Sequence, residues 1–84
     1  MTVNIKIIFF AKAREIAGRT HDNLEIDCNI SYQLLLNIIV KKFGLDNIKD
    51  TIILALNEDY CDTNKTYTLK TGDEIAVIPP LSGG

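Results

Sequence analysis

The stretch Ser31-Tyr32-Gln33-Leu34-Leu35-Leu36-Asn37-Ile38-Ile39-Val40-Lys41-Lys42-Phe43-Gly44 decides how the rest of this 84-residue chain is read. A serine can accept a hydrogen bond from the unpaired amides that open a helix, and a glycine can take the left-handed turn that closes one. The spacing therefore predicts a helix over Tyr32–Phe43, capped by Ser31 and Gly44. Tyr32, Leu35, Leu36, Ile39, Val40 and Phe43 recur at i, i+3, i+4 and i+7 and make one core stripe. Gln33, Asn37 and Lys41 fall on the opposite side. Leu34 and Ile38 flank that polar side, either as surface apolarity on a wide buried face or as part of a contact surface.

Around this helix the period changes to two. Val3-Asn4-Ile5-Lys6-Ile7 alternates and runs into Ile8-Phe9-Phe10, a strand expected to start half exposed and end buried. Ala11–Ala17 consists of good helix formers and stops at Gly18. Asn23-Leu24-Glu25-Ile26-Asp27 alternates again and reads as a partner for the first strand. Beyond a connection at 45–50, Thr51–Leu56 is β-branched and apolar, a buried strand. Asn57-Glu58-Asp59 and Asp62-Thr63-Asn64-Lys65 are turns, with a short Thr66–Leu69 segment after the second. Lys70-Thr71-Gly72-Asp73 is a tight turn, and Glu74–Ile78 is the last strand, ended by Pro79. One long helix among such strands gives an α+β, β-grasp (ubiquitin-like) expectation: a mixed sheet packed against that helix, with the C-terminal strand central. Residues 1–78 form the domain, and 79–84 are read as a flexible Gly-Gly tail.

Composition narrows the function. A 46% hydrophobic and 24% charged chain of this length is one small globular domain. A net charge of -2 lacks the basic footprint of nucleic-acid binding. The apolar run Leu34–Val40 is far shorter than the ~20 residues of a membrane span, and no export signal is visible, so the cytosol is the expected compartment. Cys28 and Cys61 stand apart, outside any C-x-x-C spacing, and read as free thiols. His21 beside Asp22 reads as a loop residue, with no second ligand for a metal.

No nucleophile stands beside a general base in the pattern. Asp73 and Glu74 are adjacent on a strand and point to opposite faces, so they cannot flank one substrate; they read as a turn former and a solvated strand start. The tail is different. Pro79 and Pro80 hold the backbone extended and keep it from rejoining the sheet. Leu81 and Ser82 are modest in size, and Gly83 and Gly84 lack a Cβ that would obstruct a narrow channel. From Pro79 to Gly84 the tail can reach ~20 Å. That length places the Gly84 carboxylate inside a partner's site while the domain stays outside.

Three segments, Phe9-Phe10-Ala11-Lys12-Ala13-Arg14-Glu15, Gly72–Pro80 and Leu81-Ser82-Gly83-Gly84, carry a resemblance over nearly the whole chain. It is similar to the small, sulfur-carrying subunits of molybdopterin synthase (the MoaD family), most of all to the animal form. The resemblance implies a carrier that is not an enzyme on its own. A ubiquitin-activating-like adenylyltransferase and sulfurtransferase uses ATP to convert Gly84 to an acyl-adenylate, and a persulfide donor turns that into a thiocarboxylate. The tail, Pro79 through Gly83, then threads into a large catalytic subunit, where the sulfur is given to cyclic pyranopterin monophosphate. Two small and two large subunits make a heterotetramer, and no cofactor is held permanently. The family's docking positions fall on Phe10, Tyr60 and Ile78, with Tyr60 standing where other members carry leucine. Phe10 and Ile78 also suit plain core packing.

Two other carriers of a terminal Gly-Gly stay open: a ubiquitin-like modifier conjugated to lysines through Gly84, and the thiamine-pathway sulfur carrier. The Phe-Phe-Ala-x-x-Arg-Glu run and the Pro-Pro-Leu-Ser-Gly-Gly end speak against the latter, and the absence of an arginine-rich tail against the former. A binding module with a frayed glycine end is the plainest alternative.

Overall fold

A computed structural model describes residues 1–79. Strand β1 (Thr2–Phe9) pairs antiparallel with β2 (His21–Asp27), Ile5 opposite Leu24, and parallel with β7 (Glu74–Ile78), Ile7 opposite Ile75. On its other side β7 pairs antiparallel with β4 (Ile53–Leu56), Leu54 opposite Val77, and β4 turns back into the short β5 (Asp59–Tyr60). The sheet order is β2-β1-β7-β4-β5, so the C-terminal strand is central, as expected. A parallel β1–β7 pair needs a long crossover, and the intervening chain with its helix provides it.

That helix, α2, spans Tyr32–Phe43. Ser31 Oγ accepts the Leu34 amide at 3.2 Å, and Gly44 closes the helix at φ 71, a left-handed value that costs other residues about 1 kcal/mol or more. Tyr32, Leu35, Leu36, Ile39 and Val40 are buried on one sheet face against Ile5, Ile7, Phe9, Leu24, Leu54, Ile75 and Val77. Phe43 packs its ring edge on Phe9, centroids 4.8 Å apart. Leu34 is exposed, whereas Ile38 is half-buried against the core, so only the first departs from a wide buried face. The shorter α1 (Ala11–Ala17) buries Ala13 in the same core and ends at Gly18.

Several expectations need correction. The sheet is not alone: β3 (Asn29–Ser31) and β6 (Thr66–Thr68) form a separate antiparallel pair, Ile30 opposite Tyr67, too short to carry a readable period. His21 opens β2 opposite Ile8 instead of lying in a loop. The turn expected at 57–59 contracts to Asn57-Glu58, both at positive φ, which places Asp59 and Tyr60 in a strand. Thr51 and Ile52 precede β4, and Ile53 is 44% exposed although Ala55 on the same face is buried, so the outer side of the strand is only partly covered. Phe10 does not end β1 in the core. Its backbone stays extended (φ -119, ψ 148), so alternation turns it away from buried Phe9, and it remains 46% exposed. Asp73 is the expected turn former, its carboxylate accepting the Lys70 amide, but it is also buried, at 8% exposure.

A sheet face that turns apolar beside the tail

Cross-strand register orders the residues on the face turned away from α2. At one end Thr2 stands opposite Asp27 and Asn4 opposite Glu25, and Lys6 lies between Asn23 and Glu74. All are polar, as a solvated face should be. The next row is different: His21, Ile8, Ala76, Ala55 and Tyr60 follow one another across all five strands. Beyond it Ile78 faces Ile53, and Phe10, whose amide donates to the Val77 carbonyl at 3.2 Å, lies one residue past the Phe9–Val77 pair. The face therefore changes from charged to apolar along β7, in the direction of Pro79.

The three docking candidates from the sequence thus share one face. Phe10 is 46% and Tyr60 74% exposed, and Ile78 is half-buried. Pro79 is half-buried at the end of β7; Pro80, Leu81, Ser82, Gly83 and Gly84 lie outside the described residues. Exposed Ile53 and half-buried Ile8 and Ala76 join the patch, with Ala55 buried in the same row between Ala76 and Tyr60, and sequence reasoning missed them. The signal was present: Ile53 and Ala55 in one strand, and Ala76 and Ile78 in another, are apolar at the parity that should face water. An exposed Phe, Tyr and Ile in one patch is the arrangement of a protein interface more than of a solvated sheet.

Strand β5 has two residues, too few to hold an edge position through its own ladder. The Asn57 side chain braces it. Asn57 Nδ2 donates to Asp73 Oδ1 at 3.1 Å, and Asn57 Oδ1 accepts the Glu74 amide at 2.9 Å. The Asn57 amide donates to the Glu74 carbonyl at 2.8 Å. Asp73 Oδ2 accepts the Lys70 amide at 2.8 Å, closing the Gly72 turn. The Lys70 amide, aided by the Asn57 side chain, holds the Asp73 carboxyl below its ordinary value.

Side-chain chemistry in the domain is sparse. Cys28 and Cys61 are free, half-buried thiols. Burial pushes the Cys61 thiol up, so little of the nucleophilic thiolate forms at neutral pH. Among the described residues no three His, Cys, Asp or Glu side chains cluster as a metal site, and no helix is long and apolar enough to cross a membrane.

Comparison with known proteins agrees with this layout. The model of the ThiS family matches residues 7–84. The molybdopterin synthase sulfur carrier subunit of Drosophila melanogaster is 48% identical over 98% of this chain and 92% of its own. Among solved structures, a chain in the complex of subunits 1 and 2 of the molybdopterin-converting factor from Helicobacter pylori matches with a TM-score of 0.65 and 28% identity. It covers 98% of this chain and all of the other. SAMP1 from Haloferax volcanii, 22% identical, shares the fold at a TM-score of 0.77, over 96% of this chain and 99% of its own. The β-grasp architecture, the match across residues 7–84 and the level of identity to a named relative together show that the chain belongs to the ThiS family, alongside the molybdopterin synthase sulfur carrier subunits.

Proposed function

We propose that the chain is the sulfur carrier subunit of a molybdopterin synthase, working in the cytosol, and that its reactive group is the carboxylate of Gly84. The observation that carries this reading is the patch of Phe10, Ile53, Tyr60 and Ile78, which adjoins the point where the chain leaves β7. A large subunit seated on that patch would receive the segment that follows Pro79. The relative from Drosophila and the two-subunit complex from Helicobacter support both the role and the kind of partner.

In this reading the domain catalyses nothing. An adenylating enzyme of the ubiquitin-activating type transfers AMP from ATP to the Gly84 carboxylate. The outer sulfur of a persulfide on the partner enzyme displaces AMP, which leaves with one carboxylate oxygen. A second thiol then attacks the inner sulfur of the resulting acyl disulfide, so that the thiocarboxylate is released and an ordinary disulfide is left on the partner. Pro79 and Pro80 direct the tail away from the sheet, Leu81 and Ser82 cross the partner's channel, and Gly83 supplies clearance. The sulfur then passes to cyclic pyranopterin monophosphate, and two loaded carriers deliver the two dithiolene sulfurs. This is consistent with an assembly of two small and two large subunits. The chain holds no cofactor of its own; ATP belongs to the activating enzyme.

The experiment is reconstitution with the large subunit. A chain extended by one residue past Gly84 is expected to fold and to bind, yet to transfer no sulfur. Sulfur transfer by the extended chain would remove the terminal carboxylate from the mechanism. A modifier role through Gly84 would appear instead as a covalent adduct on lysine.

A further inference from the structure

The brace between Asn57 and Asp73 hydrogen-bonds no residue of the apolar patch, yet it joins the β4–β5 turn to the start of β7. Strand β5 pairs with β4 only through Ala55–Tyr60 and Leu56–Asp59, and its turn places Glu58 at φ 75. A side chain at such a φ is strained by about 1 kcal/mol or more. Left to itself, a two-residue edge strand on a strained turn would fray. The Asn57 amide group is bonded at both of its polar atoms, to the Asp73 carboxylate and to the first amide of β7. Asp73 in turn is fixed by the Lys70 amide. This cluster is next to the patch in sequence but not in it: Asn57 lies three residues before Tyr60, and Asp73 lies five before Ile78.

We propose that Asn57 and Asp73 are positioning residues for partner docking, holding the β5 edge so that Tyr60 stays opposite Ala55, on the same sheet face as Ile53 and Ile78. The inference rests on the reading that this face receives the large subunit. Exposed Tyr60 loses the most freedom when a partner covers it, and an edge already ordered lowers that cost of binding. Loss of the brace therefore weakens docking without deleting any contact.

Asn57→Gly is the informative change, because glycine suits the positive φ and keeps the turn while removing both side-chain bonds. The first measurement is hydrogen exchange at the Cys61 amide, which donates to the Leu54 carbonyl at 2.9 Å and closes the hairpin. It should exchange at least about tenfold faster in the variant, while the core amide of Ile7 is unchanged. The second is affinity for the large subunit in a double-mutant cycle with Tyr60→Ala. Tyr60→Ala alone should weaken binding by roughly tenfold, and Asn57→Gly alone by about fivefold. In the Tyr60→Ala background Asn57→Gly should then change affinity less than about twofold. Unaltered Cys61 exchange, or effects that multiply fully in the double variant, would overturn the positioning role. If Tyr60→Ala itself binds like the wild type, the docking reading fails first and the positioning role fails with it.

Discussion

Phe10→Ala separates what a half-exposed aromatic does for the fold from what it does for a partner. A phenylalanine side chain offers about 200 Å². With 46% exposed, roughly 90 Å² faces solvent and about 110 Å² is covered by the chain itself. At about 25 cal/mol per Å², the exposed part is worth about 2 kcal/mol to a partner that covers it, or about thirtyfold in affinity. The covered part gives at most about 3 kcal/mol of stability, and nearer about 2 once the compactness of the unfolded chain is allowed for. A domain of this size holds about 4–13 kcal/mol, so the variant stays folded at 25 °C. The backbone bond from Phe10 to Val77 survives truncation. Urea unfolding should show a midpoint lowered by about 1–2 M, and calorimetry with the large subunit should show the thirtyfold loss. A destabilised variant that binds normally would return Phe10 to packing alone and remove the sheet face as the docking surface.

Other expectations follow from the same contacts. Ser31→Ala removes the acceptor for the Leu34 amide and should cost about 1 kcal/mol in urea unfolding; Ser31→Asp, which restores a cap, should recover most of it. Gly44→Ala meets open space, nothing within 4 Å of a new Cβ, so its expected cost of about 1 kcal/mol is backbone strain alone, and Gly44→Asn should cost less. Asp73, held below its unfolded value by the Lys70 amide and Asn57, contributes stability that is complete above the ordinary carboxylate range and fades as pH falls through its folded value. Urea midpoints measured across that range should decline on acidification, and more gently in Asp73→Asn. An equal decline in both proteins would assign the acid sensitivity to other carboxylates.

The main elements were legible because their signals are local. Ser31 and Gly44 bracket α2 at the positions the sequence indicated, and the alternation of Ile5, Ile7, Leu24 and Ile26 survives as buried against exposed. What escaped depends on pairing across the sheet. Nothing near Tyr60 in sequence says that Ala55 stands opposite it, or that Ala76 and Ile8 continue the row; register settles that. Phe10 was misplaced because a run of three apolar residues looks uniformly buried, while the extended backbone sends alternate side chains to opposite faces. Asp73 is legible as a turn former, but its burial and its bond to Asn57 are not, because that partner is sixteen residues away. Phe10, Tyr60 and Ile78 were named from family likeness, and the strand order supplies the physical reason they converge.

The sulfur-carrier reading stands most directly on the intact mass of the chain after incubation with an adenylating enzyme, ATP and a persulfide donor. Exchange of one oxygen for sulfur, mapped to Gly84 in the C-terminal fragment, is the expected result. A mixture that loads another carrier of the family yet leaves this chain's mass unchanged would contradict it.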